Sequence, residues 1–199
     1  MLMLLMTLAL AGNAYSATKT VLVLGDSLSA EYGIKRGAGW VALLEQRLNE
    51  KRIDAKVVNA SISGETTSGG RSRLPVLLKE HTPDVVVIEL GGNDGLRGLP
   101  LKAAEDNLRA MIRAAQQAGA RVLLVGMQIP PNYGRAYADR FTSMYEKLAR
   151  ENKAVLVSFL LKGVAETPEL FQADRIHPTA EAQPIMLENI WPALKPLLK

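Results

Sequence analysis

The chain of 199 residues contains no cysteine, which excludes disulfide bonds, thiolate metal sites and a cysteine nucleophile. Aromatic residues make up only 5% of it, and the sequence has no zinc-finger spacing and no stacked-aromatic motif. The formal net charge of +4 is spread out, and the closest cationic groups are Lys51-Arg52 and Arg71-x-Arg73. Nucleic-acid-binding domains typically concentrate positive charge on one face. We therefore expect no nucleic-acid partner.

An apolar segment opens the chain, but it is short. Residues 1–11 are almost wholly apolar and are followed by small residues at Ala14 and Ser16. A membrane-spanning helix needs about 20 apolar residues, so we expect no stable membrane anchor. The pattern predicts a signal peptide over residues 1–16, although no Lys or Arg precedes the apolar run. We expect one domain over residues 17–199, monomeric and either periplasmic or secreted.

Beyond residue 19, short β-branched apolar runs alternate with longer amphipathic stretches. The runs are continuous, which is typical of strands buried on both faces. Predicted strands lie at 20–24, 56–60, 84–90, 121–126 and 154–159. Predicted helices lie at 40–50, 73–80, 101–118, 136–152 and from about 179 to 190. This alternation predicts an α/β protein, a three-layer α/β/α sandwich with a five-stranded parallel sheet, doubly wound and flavodoxin-like.

Binding sites in such folds form at the carboxyl ends of the strands, so we expect the functional residues in the loops there. The first predicted strand is followed by Gly25-Asp26-Ser27-Leu28. A serine on a tight turn after a buried strand can hold its hydroxyl clear of the sheet, and its own N–H can face a bound carbonyl oxygen. Taken alone, Gly-Asp-Ser is equally typical of an ordinary turn.

The next two loops carry candidate hydrogen-bond donors. Gly64 follows the second strand, and its lack of a Cβ lets the backbone approach a ligand. Asn93, within Gly91-Gly92-Asn93-Asp94-Gly95, follows the third, and a side-chain amide can stabilise a developing oxyanion. A flexible Ser/Gly loop and a simple turn are the alternatives at these two places.

One of the two histidines follows the fifth strand. His177 lies three residues after Asp174, a spacing that lets the carboxylate accept from Nδ1–H while Nε2 takes a serine proton. The other, His81, precedes the third strand, and we expect it at the opposite edge of the sheet, exposed to solvent. Four loops at one edge thus bring a nucleophile, oxyanion donors and an acid–base pair, the groups that acyl transfer requires.

These blocks resemble the SGNH (GDSL) hydrolase family, and within it the exported bacterial thioesterase I / lysophospholipase L1 / arylesterase group. The resemblance covers nearly the whole mature chain, from Lys19 to Leu198. The matching blocks, in order, are Gly25-Asp26-Ser27-Leu28-Ser29, Ser63-Gly64, Gly91-Gly92-Asn93-Asp94 and Asp174-x-x-His177. The family's pattern leads us to expect glycine after the triad aspartate, where this chain has Arg175, a cation that could reshape the loop or attract anionic substrates.

The resemblance implies a serine esterase or thioesterase acting on small acyl esters, thioesters or lysophospholipids, with no cofactor and no metal. It implies a triad of Ser27, His177 and Asp174, with an oxyanion hole made by the N–H groups of Ser27 and Gly64 and the amide of Asn93. Candidate substrate-binding residues are Asp26, Leu96, Leu99, Ile129 and Tyr133.

Three other functions compete with this one. An acyltransferase could use the same triad and pass the acyl group to an alcohol or sugar. A non-catalytic binding module on the same scaffold is disfavoured because every catalytic position is filled. A flavodoxin-like nucleotide binder is disfavoured because neither Gly-x-Gly-x-x-Gly nor a Walker loop follows the first strand.

Overall fold

Five parallel strands form the centre of the computed structural model, which describes residues 18–199. They are β1 (Lys19–Gly25), β2 (Ala55–Asn59), β3 (Val85–Glu89), β4 (Arg121–Val125) and β5 (Val155–Val157). Their order across the sheet is β2-β1-β3-β4-β5, and each neighbouring pair is parallel. The winding direction therefore reverses between β1 and β3, which is where doubly wound folds bind ligands. All five strands end at one edge of the sheet, here called the carboxyl edge.

The helices lie in two layers. They are α1 (Trp40–Glu50), α2 (Thr67–His81), α3 (Gly92–Leu96), α4 (Leu101–Gln117), α5 (Arg135–Asn152) and α6 (Gln183–Leu194). Helix α4 packs between α2 and α5, whereas α1 packs against α6. The predicted three-layer α/β/α architecture is confirmed. Within residues 18–199, no helix combines the length and apolar character that crossing a membrane requires. The predicted signal peptide, residues 1–16, lies outside the described residues.

Burial differs between the central and the edge strands. Leu22 of β1 and Ile88 of β3 are fully buried, as expected for strands covered by helices on both faces. The expectation of burial on both faces is wrong for the edge strands β2 and β5. Lys56 of β2 is exposed and Val155 of β5 is 36% exposed, because an edge strand has only one neighbour and part of it meets solvent.

Helix α2 begins six residues before its predicted start. Its first turn contains Ser68-Gly69-Gly70, whose low helix propensity hides the start from sequence patterns. Two caps compensate: the Thr66 side chain accepts a hydrogen bond from the Gly69 N–H, and Asp94 accepts from both the N–H and the hydroxyl of Thr67. The second cap comes from the loop after β3, so tertiary structure fixes this helix start.

The last helix begins later than predicted. Helix α6 begins at Gln183 rather than near Thr179, and Pro184 occupies its first turn. Proline is tolerated there because the first N–H groups of a helix have no partner within it. The segment before the helix is thereby left as a loop, and it carries His177 to the carboxyl edge.

Candidate active site

Ser27 lies on the turn that leaves β1 at the carboxyl edge. The Asp26 carboxylate accepts a hydrogen bond from the Leu28 N–H at 3.0 Å, and the Asp26 carbonyl accepts from the N–H groups of Ser29 and Ala30. These bonds close a tight turn, of the kind for which aspartate is suited. Ser27 is half-buried there and borders a cavity.

The structure brings Ser27, His177 and Asp174 into one hydrogen-bonded chain. The Ser27 Oγ lies 3.0 Å from His177 Nε2, and His177 Nδ1 lies 2.7 Å from Asp174 Oδ2. A proton can therefore pass from the hydroxyl to Nε2 while the carboxylate holds Nδ1–H in place, the arrangement that activates a serine for attack.

The loop between Asp174 and His177 fixes the carboxylate. Asp174 Oδ1 accepts hydrogen bonds from the N–H groups of Ile176 and His177, both at 3.0 Å. The His177 backbone N–H is the main cause that lowers the pKa of Asp174 to about 2, followed by the His177 side chain and the Ile176 N–H. Asp174 is therefore ionised at neutral pH and favours the charged imidazolium that forms when His177 takes a proton.

Tyr32 also positions His177, and no sequence motif points to this residue. The two rings lie with centroids 4.2 Å apart and planes tilted by 37°. The Tyr32 carbonyl accepts a hydrogen bond from the Gln172 side chain, and the Gln172 N–H donates to the His177 carbonyl. The histidine loop and the loop after β1 are thereby tied together.

Two backbone N–H groups at this edge are available to a ligand. In the part of the chain that the structure describes, neither the Ser27 N–H nor the Gly64 N–H donates to another protein group. Gly64 has φ of +81°, a backbone conformation that glycine adopts readily and other residues rarely do. The Arg97 guanidinium donates to the Gly64 carbonyl at 3.1 Å, which ties the Gly64 peptide to the loop after β3.

Asn93 lies in α3, directly after β3. Gly91, with φ of +113°, makes the sharp turn into that helix, and a Cβ there would collide with the Tyr145 hydroxyl. The Asn93 amide nitrogen donates to Asp26 Oδ2 and to the Glu65 carbonyl, both at 3.0 Å. Both amide hydrogens are thus engaged within the protein. Donation to a substrate oxygen requires that one of them be shared or released, which the sequence did not indicate.

A pair of buried carboxyl groups lies beneath the serine turn. Burial is the main cause that raises the pKa of Asp26 to about 6 and the pKa of Glu89 well above its usual range. Glu89 Oε2 accepts from the Ser29 hydroxyl at 2.7 Å and from the Asp26 N–H at 3.3 Å, while Glu89 Oε1 is buried and has no hydrogen-bond partner within residues 18–199. Trp40 Nε1–H donates to the Ser29 hydroxyl. Sequence patterns missed Glu89 because it is part of an otherwise apolar strand.

The wild-type protein should lose stability as the pH rises above about 4.5, and we expect Glu89→Gln to lose less. A raised folded-state pKa means that the native protein keeps a proton that the unfolded chain releases above about pH 4.5. The free energy of unfolding therefore falls as the pH rises from 4.5 towards the folded-state pKa, and glutamine cannot ionise.

The measurement is Tm at pH 4.5 and pH 8 for both proteins. The Tm of Glu89→Gln minus the Tm of the wild type should be clearly higher at pH 8 than at pH 4.5. The exposed carboxylate of Glu146 provides the control, and Glu146→Gln should follow the wild type. A Glu89→Gln protein with the same pH profile as the wild type would show that Glu89 is ionised in the native state.

A cavity of about 1090 Å³ opens beside Ser27 and His177. Much of its lining is apolar and comes from the segments after β4 and β5: Met127, Ile129, Pro130, Phe159, Leu161 and Ala165. Of the predicted substrate-binding residues, Asp26, Leu96 and Ile129 line the cavity, whereas Leu99 and Tyr133 lie outside its lining. An apolar cavity that reaches the serine hydroxyl suits an acyl chain. Among residues 18–199, no three His, Asp or Glu side chains lie close enough together to hold a metal ion.

Comparison with known proteins shows that this chain is similar to acyl hydrolases. Residues 23–184 match the GDSL-like Lipase/Acylhydrolase family. The esterase TesA of Pseudomonas aeruginosa is 52% identical over 183 residues, which cover 92% of this chain and 91% of that protein. The thioesterase 1/protease 1/lysophospholipase L1 of Escherichia coli is 44% identical over 183 residues, covering 92% and 86%.

A solved structure agrees with these sequence matches. The psychrotrophic esterase EstA from Pseudoalteromonas sp., inhibited by monoethylphosphonate, superposes with a TM-score of 0.86 at 41% identity. The match covers 90% of this chain and 98% of that one.

Proposed function

We propose that this chain, which belongs to the GDSL-like Lipase/Acylhydrolase family and is an ester or thioester hydrolase, acts through an acyl-enzyme on Ser27. The observation that carries the proposal is the continuous hydrogen-bonded chain from Ser27 Oγ through His177 to Asp174. A general base within 3.0 Å of a hydroxyl, itself oriented by a carboxylate, makes that hydroxyl a nucleophile.

In the first half-reaction, His177 Nε2 takes the proton of Ser27 as Oγ forms a bond to the acyl carbon. The carbonyl oxygen becomes an oxyanion, which accepts hydrogen bonds from the N–H groups of Ser27 and Gly64 and from the Asn93 amide. The bond from the acyl carbon to the leaving oxygen or sulfur then breaks, and His177 gives its proton to the leaving group.

In the second half-reaction, water takes the place of the leaving group. His177 removes a proton from it, the water oxygen attacks the acyl carbon, and the bond to Ser27 Oγ breaks as His177 returns the proton to Ser27. The products are a carboxylic acid and the original serine. If an alcohol takes the place of water, the same steps transfer the acyl group to the alcohol.

The lining of the cavity supports small acyl esters and thioesters as substrates. Its apolar side chains from the segments after β4 and β5 can bury an acyl chain whose carbonyl lies at Ser27. Aryl esters, acyl thioesters and lysophospholipids all present such a chain. The activated hydroxyl and the donors act on the acyl carbonyl, which these substrates share.

The experiment is a rate profile with 4-nitrophenyl esters of two to sixteen carbons and matched acyl thioesters, with products identified in the presence and absence of glycerol. We expect turnover of both substrate classes and free acid as the main product. Acyl glycerol as the main product would favour the acyltransferase, and no turnover of any ester would contradict the proposal.

We further propose that the protein is exported. The apolar segment at residues 1–11 and the small residues before Ala17 support a signal peptide that is removed after Ser16. Export would place the hydrolase in the periplasm or outside the cell.

A further inference from the structure

Arg175 lies in a backbone conformation that favours glycine. Its φ is +56°, in the left-handed region, where a Cβ is unfavourable. The surrounding bonds impose this conformation: the Arg175 N–H donates to the Gln172 carbonyl, and Asp174 accepts from the two N–H groups that follow Arg175. The turn would form at lower cost with glycine, so the backbone does not explain the arginine.

The side chain of Arg175 lies at the cavity that reaches Ser27. Arg175 is exposed and lines that cavity together with Ile176 and His177. In residues 18–199, no carboxylate lies within salt-bridge distance of its guanidinium. An arginine is charged at any physiological pH and carries five N–H donors, so this one presents an uncompensated cation to a bound substrate.

The other charged groups in and near the cavity form no salt bridge with this cation among residues 18–199. Asp174 is bonded to His177, and buried Asp26 is bonded to Asn93. Glu169 lines the same cavity and, among residues 18–199, is its one lining carboxylate besides buried Asp26. The Arg97 guanidinium near Asn93 is bonded to the Gly64 carbonyl.

We propose that Arg175 determines specificity by attracting esters that carry a carboxylate or phosphate close to the scissile bond. The inference rests on the proposed function, because it concerns substrates bound at Ser27. A guanidinium forms charge-assisted hydrogen bonds with both anions. The anionic group can belong to the leaving group, which contacts His177, or to the acyl chain in the apolar part of the cavity.

Two substrate pairs distinguish these positions. On the acyl side, mono-4-nitrophenyl glutarate is compared with 4-nitrophenyl pentanoate. On the leaving-group side, 3-carboxyphenyl butyrate is compared with its carboxamide. The measured quantity is the ratio of kcat/KM for the anionic ester to kcat/KM for the neutral ester, so that intrinsic ester reactivity cancels when variants are compared.

We expect Arg175→Gly to lower this ratio about threefold to tenfold for at least one substrate pair. The pair that is affected shows whether Arg175 attracts an anion on the acyl chain or on the leaving group. Arg175→Lys should keep most of the ratio, and the effect should shrink in 1 M salt because salt screens exposed charges. Glu169→Gln should raise the ratio. Since glycine suits the left-handed backbone, Arg175→Gly should fold, and its Tm is measured to confirm this.

Arg52 provides the matched control. It is an exposed arginine with φ of +52°, and it precedes β2 at the opposite edge of the sheet. Arg52→Gly makes the same change of charge and backbone far from Ser27 and should leave both ratios unchanged. Ratios for Arg175→Gly within twofold of the wild type for both pairs, or an equal fall in Arg52→Gly, would overturn the inference. A wild type that hydrolyses none of the four esters would instead overturn the proposed function.

Discussion

Ser27→Ala is expected to lower kcat for 4-nitrophenyl butyrate by roughly 10⁴–10⁶-fold. The substitution removes the atom that forms the acyl-enzyme, and His177 then has no hydroxyl to deprotonate. The donors at Gly64 and Asn93 remain, so a residual rate above that of water alone should persist. Steady-state hydrolysis, followed at 4-nitrophenolate absorbance, measures the loss.

A second serine separates this chemical effect from a loss of structure. Ser143 is an exposed serine of α5 that does not line the cavity, and Ser143→Ala should retain wild-type kcat. The Ser27 hydroxyl has no hydrogen-bond partner other than His177 among the described residues, so Ser27→Ala should keep Tm within a few degrees of the wild type. Near wild-type turnover by a folded Ser27→Ala protein would rule out Ser27 as nucleophile.

Asn93→Ala is expected to lower kcat by about 10²–10³-fold, the usual cost of losing one oxyanion donor. A structural role for Asn93 competes with this catalytic role, because the amide already donates to Asp26 and to the Glu65 carbonyl. If the amide acts on the oxyanion, the loss appears in kcat. If it only links the two loops, Tm falls and kcat changes little.

Asn189 provides the comparison for Asn93. Its amide also donates two hydrogen bonds, to the carbonyls of Leu160 and Lys162, but Asn189 lies in α6 and is not among the residues that line the cavity. Asn189→Ala should lower Tm and leave kcat within a few fold of the wild type. An Asn93→Ala protein that behaves in the same way would assign Asn93 a structural role.

The central fold could be predicted from the sequence because its signals are local. The buried strands β1 and β3 are continuous apolar runs, and α1 lies within its predicted bounds because its apolar residues recur at helical spacing. The start of α2 could not be predicted because a carboxylate from a distant loop caps a glycine-rich turn. Local propensity contains no information on such a partner.

The candidate site, like the fold, could be predicted from the sequence only in part. Ser27, Gly64, Asn93, Asp174 and His177 could be named as candidates because each belongs to a short block in a loop that follows a predicted strand. Glu89 could not be recognised because it lies in an otherwise apolar strand, and Tyr32 could not be recognised because its role depends on its packing against His177. The engagement of both Asn93 hydrogens depends on distances between three loops, which no sequence pattern specifies.

The substrate pocket was the least predictable part. Leu96 and Ile129 line the cavity, but much of its remaining apolar wall, Phe159, Leu161 and Ala165, comes from the segment after β5, which carries no motif. The family resemblance implied a substrate-binding role for Leu99 and Tyr133, but they are 37% and 42% exposed and lie outside the cavity lining. Which loops enclose a cavity depends on tertiary packing.

Covalent labelling with a fluorophosphonate tests the central claim most directly, because the probe reacts with an activated serine and the modified residue can be identified by peptide mass spectrometry. One adduct per chain is expected, on the peptide that contains Ser27. It should be absent in Ser27→Ala and should form far more slowly in His177→Ala. A stable adduct on another residue, or active enzyme that never reacts with the probe, would contradict Ser27 as the nucleophile.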